Sequence, residues 1–151
     1  MKKILNITGY KFIKISDKQL LKEKIIRECN LLTLKGTVLI SDKGINLSVA
    51  GKKSNIKKFI IFLRNDHRFE DIDIKTTYNK YQPFRKMLVR IKKEIISMGI
   101  EDINPSDFTG EKIDPLDLVE KLDKNKDVVL LDTRNEYEVR LGTFENAIDL
   151  N

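Results

Sequence analysis

The 151-residue sequence is 40% apolar and 34% charged, with a formal net charge of +6, a composition that supports a packed core and excludes fibrous and low-complexity classes. Its longest apolar run, residues 59–63, is far shorter than the roughly 20 residues that cross a bilayer. Polar residues also interrupt the N-terminal stretch where a signal peptide needs an apolar core, so we expect a cytoplasmic protein without a membrane partner.

The chain opens with a predicted strand and helix. Residues 4–15 favour a strand, although the alternation that would define its buried face slips near Ile13. Ser16 to Gln19 fits a capping box. In this motif the serine hydroxyl accepts from a backbone N–H in the first turn, and the glutamine side chain accepts from the backbone N–H of the serine. The helix should cover residues 17–30, with an apolar stripe at helical spacing formed by Leu21, Ile25, Cys29 and Leu32.

A hairpin, a second helix and two more strands follow. Residues 37–40 and 44–50 read as paired strands, with one side of the second strand formed by Ile45, Leu47 and Val49. Ser54 is the predicted N-cap of a helix that ends near residues 65–66 and buries Ile56, Phe59, Ile60 and Leu63. Strands are then expected over residues 72–76 and 86–94. This order predicts an α+β, ferredoxin-like (split βαβ) domain over residues 1–96, with helices on one sheet face.

After a linker at residues 97–113, residues 114–151 form a second predicted unit. Asp114-Pro115 is a strong helix start, because Asp can cap and Pro fits the first helical position. Residues 128–131 form an all-apolar run typical of a strand buried on both faces of a parallel sheet. Asn135 is expected to cap a short helix, and residues 147–150 resemble the beginning of another strand.

Charge divides the chain in the same region. Residues 1–93 carry 23 Lys/Arg against 8 Asp/Glu, whereas residues 94–151 carry 6 against 15. Within the basic part, residues 75–93 hold seven Lys/Arg and no acid, a pattern that indicates binding to a polyanion. Three aromatic residues lie among these cations and could stack on unpaired RNA bases: Tyr78, Tyr81 and Phe84.

The candidate RNA-binding residues are therefore Lys80, Arg85, Lys86, Arg90, Lys92 and Lys93. The alternative is a solvated lysine-rich surface whose aromatic residues pack in the core. On the second unit, Asp132 and Arg134 stand at the carboxyl end of a predicted strand, where open α/β sheets bind ligands. They are candidate active-site support, although a purely structural ion pair accounts for the pattern equally well.

Other chemistry is not indicated by the residue patterns. Cys29, the only cysteine, lies on an apolar helical stripe and is expected to be a small buried hydrophobe. His67, the only histidine, has no partner identifiable by pattern, and together these two residues cannot form a disulfide or a four-ligand zinc cage. A ferredoxin-like domain raises acylphosphatase-type hydrolysis, but residues 10–14 lack the arginine and glycine-rich cradle that this chemistry requires.

Several segments together resemble one protein family. Residues 132–138 and 142–147 are similar to the opening of a rhodanese domain, in particular that of the bacterial tRNA uridine hydroxylases, which oxidise the wobble uridine to 5-hydroxyuridine. Residues 36–40, 44–46 and 83–96 agree with the same family. Lys43 and Leu47 depart from the family's usual Glu and Gly around its Gly-Ile-Asn motif, so that turn receives no role.

The resemblance implies the N-terminal part of such an enzyme: an RNA-binding domain that holds the anticodon arm of tRNA, followed by the first part of a rhodanese domain. Molecular oxygen is the implied co-substrate, and no cofactor is evident. The family's rhodanese-loop cysteine has no counterpart in this sequence, so we expect no catalytic residue here and no activity from this chain alone. A rhodanese-type sulfurtransferase and a non-catalytic RNA-binding fragment remain the alternatives.

Overall fold

The computed structural model describes residues 3–93, 95, 110–111, 113–124 and 128–149. The chain divides into two compact units, residues 1–109 and 110–151, and each is described by itself. The first unit contains β1 (Ile4–Phe12), α1 (Lys18–Leu31), β2 (Lys35–Ser41), β3 (Gly44–Gly51), α2 (Lys53–Arg64), a 3-10 turn (His67–Phe69), β4 (Asp73–Asn79) and β5 (Met87–Ile91).

These strands form a five-stranded sheet in the order β4-β1-β3-β2-β5. The first four strands are antiparallel and, with α1 and α2, form the predicted ferredoxin-like pattern. The fifth strand pairs in parallel with β2 at the sheet edge. Because β4 lies at the opposite edge, the loop of residues 80–86 has to cross one whole end of the sheet.

The core lies on the face of the sheet that the helices cover. Alternate residues of the strands are buried there, including Ile7, Val38 and Leu47, and they belong to one cluster with Ile25 of α1 and Phe59 of α2. A period of two in the strands and a helical period in α1 and α2 bring these side chains to one layer. The predicted inward positions of β3 are therefore confirmed: Ile45, Leu47 and Val49.

The two predicted helix caps of the first unit, Ser16 and Ser54, are wrong. Asp17, not Ser16, occupies the N-cap position of α1, and its side chain makes no capping hydrogen bond. Its carboxylate instead binds Arg68, while Gln19 donates to Glu23. Helix α2 begins two residues earlier than a Ser54 cap requires, because Lys52 is the N-cap. Local cap chemistry was overridden at α1 by an ion pair between residues far apart in sequence.

The opening strand is shorter than predicted because the chain leaves the sheet after Phe12. The N–H groups of Ile13 and Ile15 donate to the carbonyl oxygens of Lys43 and Asp42, at 3.1 and 3.0 Å, in the turn between β2 and β3. These residues therefore pack against a hairpin turn and add no further pairs to the strand. The fifth strand also covers less than the predicted residues 86–94.

The second unit contains α3 (Pro115–Asp123), β6 (Leu131–Asp132), α4 (Glu136–Val139) and β7 (Ile148–Asp149), and β6 pairs in parallel with β7. The predicted cap at Asp114 is confirmed, since its carboxylate accepts from the N–H of Leu116 at 2.8 Å. Asn135 stands at the N-cap of α4 as predicted, and its side chain donates to Glu138 at 2.8 Å.

The predicted strand over residues 128–131, buried on both faces, is wrong. Only Leu131 of this run lies in a strand, and the side chains of Val129 and Leu131 are 71% and 55% exposed. An apolar run is buried only where other elements cover it, and β6 is covered along one edge by a two-residue strand. The predicted linker lies largely outside the described residues. No helix in the described ranges is both long and apolar enough to cross a bilayer.

Candidate RNA interface

The loop of residues 80–86 is held against the end of the sheet by hydrogen bonds. Gln82 donates through Nε2 to the carbonyl oxygen of Ala50 at 3.2 Å, and its Oε1 accepts from the N–H of Phe84 at 3.3 Å. At the far side, the N–H of Gly36 donates to the carbonyl oxygen of Lys86 at 3.1 Å. These bonds fix the path of the loop from β4 to β5.

Three of the predicted RNA-binding residues lie on this loop with their side chains exposed: Lys80, Arg85 and Lys86. None of them forms a salt bridge with another described residue. The neighbouring rings of Tyr78 and Tyr81 are 52% and 77% exposed, so they do not pack in the core. Phe84 is half-buried. The loop thus offers unpaired cations beside aromatic faces, the combination that binds phosphates and unpaired bases.

The other three predicted residues lie elsewhere. Arg90 is beside Leu39 in the sheet register, which places it on the face that the helices leave uncovered. Lys92 and Lys93 follow the far end of β5, where the N–H of Lys92 donates to Ile40 at 2.8 Å. Because a strand rises about 3.3 Å per residue, Lys86 and Lys92 are separated by about 20 Å. The basic run is therefore divided between two ends of the sheet.

In the second unit, Asp132 and Arg134 form a closed network. Arg134 donates from Nε and Nη2 to the two carboxylate oxygens of Asp132 at 2.9 and 2.5 Å, and from Nη2 to the carbonyl of Gly142 at 2.7 Å. Thr143 donates to the same carboxylate at 2.7 Å. The Arg134 hydrogen bonds, and then that of Thr143, hold the pKa of Asp132 well below its usual range.

This network ties the turn at residues 142–143 to the end of β6. An open cavity of about 640 Å³ is lined by the same residues and by Phe144 and Ala147. Because the carboxylate of Asp132 is already engaged and only 8% exposed, its evident contribution is to position this turn. The role of the pair as active-site support stays a prediction.

The cysteine and the histidine behave as their patterns predict. Cys29 is fully buried on α1, and burial raises the pKa of its thiol to about 12, so the thiolate is scarce at neutral pH. The side chain of His67 is 91% exposed, and its Nδ1 lies 3.9 Å from an oxygen of Asp66. Neither residue is part of the loop that crosses the sheet end.

One cluster was not predicted. Arg68 binds the carboxylates of both Asp17 and Asp66, with Nε 2.9 Å and Nη2 2.7 Å from the oxygens of Asp66. These hydrogen bonds lower the pKa of both carboxyls. The cluster joins the β1–α1 connection to the α2–β4 connection, at the sheet end opposite the 80–86 loop. No sequence spacing signals it, because Asp17 and Arg68 come together only in the folded sheet.

Comparisons with known proteins agree on family and fold. Residues 4–95 match the family model described as "UPF0176 acylphosphatase like domain". A protein of Cupriavidus pinatubonensis is 42% identical over 153 residues, covering 98% of this chain and 54% of the relative. A Ralstonia nicotianae protein is 42% identical over 97% of this chain and 54% of its own length. A Legionella pneumophila protein is 39% identical over 99% of this chain and 58% of its own.

All three relatives bear the name tRNA uridine(34) hydroxylase, and this chain spans about half of their length. Among solved structures, the dark-state structure of BlrB, a BLUF protein, matches with a TM-score of 0.53 at 17% identity, covering 63% of this chain and 77% of that one. At that identity the likeness concerns the fold alone.

Proposed function

This chain belongs to the UPF0176 family through its acylphosphatase-like domain, and from that premise we propose that it supplies the tRNA-holding part of a protein that hydroxylates the wobble uridine. The observation that carries the proposal is identity of about 42%, over nearly the whole chain, to relatives named for this reaction. An RNA-holding role is supported by the exposed cations of the 80–86 loop, which pair with no described carboxylate, and by the exposed rings of Tyr81 on the loop and Tyr78 in β4.

The anticodon arm is a target that suits this surface. Its loop bases are unpaired, so a protein reaches the wobble base without opening a duplex. Lysine and arginine side chains would contact the backbone phosphates, while Tyr78 and Tyr81 would stack on splayed bases. This division assigns affinity to the charges and base contact to the rings.

The second unit, in this proposal, begins the domain that carries the chemistry. Its parallel β6–β7 pair and the turn held by Asp132 and Arg134 suit the opening of a rhodanese domain. No residue of this chain is assigned to the oxidation step, for which molecular oxygen is the proposed co-substrate. Cys29 is not assigned because its thiol is buried in the core.

A chimera tests the proposal. This chain would replace the matching half of the Ralstonia relative, in a bacterium that lacks its own uridine-34 hydroxylase. Mass spectrometry of nucleosides from its tRNA should then detect 5-hydroxyuridine, as it should with the intact relative. This chain alone, expressed at the same level, should yield none.

The outcomes separate the competing functions. A folded, expressed chimera that yields no 5-hydroxyuridine, while the intact relative does, would refute the proposal. A gain of a thiolated base in place of the hydroxylated one would favour sulfur transfer. Activity of this chain alone would refute the assignment of the chemistry to another part of the protein.

A further inference from the structure

Each of the five strands has one of its two termini at the same end of the sheet. In the register, Ile4 of β1 lies opposite Asn79, the last residue of β4, and Leu5 lies opposite Gly51, the last residue of β3. The first residue of β2, Lys35, lies opposite Ala50. The next residue, Gly36, lies beside Met87, the first residue of β5. The loop of residues 80–86 crosses this same end.

Cations from four separate segments converge there. Besides the three on the loop, they are Lys3 before β1, Lys35 at the start of β2, and Lys52 and Lys53 between β3 and α2. We call these seven residues with their surroundings the basic end. All seven side chains are exposed, and none pairs with a described carboxylate. The described segments that meet here, residues 3–6, 31–36, 50–56 and 77–88, contain no Asp or Glu.

The opposite end of the sheet has a different charge balance. Among the residues that the structure describes, this end holds six carboxylates, those of Asp17, Asp42, Asp66, Glu70, Asp71 and Asp73. Several of its cations are paired with them: Lys11 with Asp71, Lys18 with Asp42, and Arg68 with both Asp17 and Asp66. The opposite end therefore mixes carboxylates, paired cations and exposed lysines such as Lys14, Lys92 and Lys93, whereas the described segments of the basic end carry cations alone. A polyanion that approaches the basic end meets seven exposed cations with no acidic side chain in the described segments around them.

The lysines at the start of α2 oppose local stability. Lys52 and Lys53 stand at the helix N-terminus, where the helix dipole disfavours positive charge. Lys57 follows Lys53 by four residues, which places like charges next to each other, and no residue of α2 is acidic. Among the described residues, no carboxylate forms a salt bridge with Lys52 or Lys53 that would offset this cost in stability. Positive charges that lower stability and form no ion pair within the protein are typical of a surface that binds an anionic ligand.

We infer that the basic end, and not the end that carries Lys92 and Lys93, holds the RNA. This inference rests on the proposed function and assigns Lys35, Lys52 and Lys53 to the same phosphate-binding surface as the 80–86 loop. Five strands spaced about 4.8 Å apart make this end roughly 20 Å wide, enough for several nucleotides of a looped strand. Tyr78 and Tyr81 stand at the β4 side of the surface.

Two variants of equal charge test the assignment. The first variant removes the charge of the three lysines that this inference adds to the surface: Lys35→Gln, Lys52→Gln and Lys53→Gln. The control variant removes the charge of three exposed lysines at the other end of the sheet: Lys14→Gln, Lys92→Gln and Lys93→Gln. The affinity of each 151-residue protein for tRNA is measured by fluorescence anisotropy as a function of salt. Circular dichroism melting of both variants establishes that they fold as the unchanged protein does.

The first variant should lose on the order of 100-fold in affinity at about 0.1 M salt, and its log–log salt slope should fall by roughly 2, because three phosphate contacts are removed. The control should lose less than about threefold at an unchanged slope. Equal losses in the two variants would leave RNA binding standing and overturn the assignment of the surface. Absence of salt-dependent tRNA binding by the unchanged protein would instead refute its tRNA-holding role, and this inference with it.

Discussion

The cluster of Arg68 with Asp17 and Asp66 should be a principal stabiliser of the first unit, and the substitution Arg68→Met tests it. The Arg68 side chain is only 16% exposed, and its partners are 34% and 27% exposed. Methionine keeps most of the apolar stem but leaves two carboxylates without their cation. Exposed ion pairs contribute about 0–1 kcal/mol, whereas breaking a buried pair costs about 3–5 kcal/mol.

This half-buried cluster lies between those limits, so we expect Arg68→Met to lower the free energy of unfolding by about 2 kcal/mol. For a domain of this size, that corresponds to a fall in melting temperature of about 8–16 °C. Thermal unfolding followed by far-UV circular dichroism measures the shift. The matched control is Arg64→Met, because the Arg64 side chain is exposed and makes one long hydrogen bond, 3.4 Å, to the carbonyl of Ile72. It should change stability by less than about 0.5 kcal/mol.

The pH dependence gives a second readout. Hydrogen bonding to Arg68 lowers the pKa of both carboxyls below the ordinary value of 3.8. A carboxyl with a lower pKa in the folded chain stabilises the fold above its unfolded pKa, and this stabilisation is lost as pH falls through the folded value. The gap between the unchanged protein and Arg68→Met should be constant from about pH 7 to pH 5 and shrink below about pH 4. A gap no larger than that of Arg64→Met, or one that persists at low pH, would refute the reasoning.

Three further substitutions or treatments follow from the structure. Tyr81→Leu removes a ring that is 77% exposed, and it should weaken tRNA binding roughly 5- to 100-fold without changing the salt slope; an unchanged affinity would exclude stacking there. Because burial raises the pKa of the Cys29 thiol to about 12, iodoacetamide at neutral pH should label it quickly only after urea unfolding, and rapid labelling of the folded protein would contradict the described burial. A Cβ at Gly36 would lie 2.1 Å from a carbonyl oxygen of β3, and the φ angle of Gly36 is +151°. Gly36→Ala should therefore lower the free energy of unfolding by roughly 2–3 kcal/mol. Gly110→Ala, with open space around it, is the control, and equal melting of the two variants would refute the argument.

Much of the first unit could be predicted from periodicity because the core is one-sided. The apolar stripe of α1 at Leu21, Ile25 and Cys29, and the alternation of β3, each have a single buried face. Such patterns specify which elements form and which side is buried. They do not specify where a fifth strand is added, since an edge strand can pair at either side of the sheet. Its parallel pairing with β2 depends on the path of the 80–86 loop.

The candidate site shows the same limit more sharply. The charge count over residues 75–93 predicts one basic segment, but it does not show how these cations are distributed over the folded sheet. The sheet separates Lys86 from Lys92, and it brings Lys35, at the start of β2, and Lys52, after β3, to the same end as Lys86. Register, which depends on every strand at once, decides which cations share a surface.

Local patterns did not predict the N-cap of α1 or the exposure of residues 128–131. Ser16 satisfies the local rule for a helix start, yet the structure uses Asp17 because its carboxylate finds Arg68 across the fold. Residues 128–131 are apolar enough for a buried strand, yet Val129 is 71% exposed. The first outcome involves an ion pair between residues far apart in sequence, and the second depends on which elements cover the run; a local pattern specifies neither.

Cross-linking followed by mass spectrometry would locate the bound RNA on the surface of the protein. The 151-residue protein would be irradiated with ultraviolet light in complex with tRNA, and the peptides that carry nucleotide adducts would be identified. We expect adducts on Tyr81 and on peptides containing Lys35, Lys52 and Lys86. Adducts confined to the peptides around Lys14, Lys92 and Lys93, or to the acidic second unit, would contradict it.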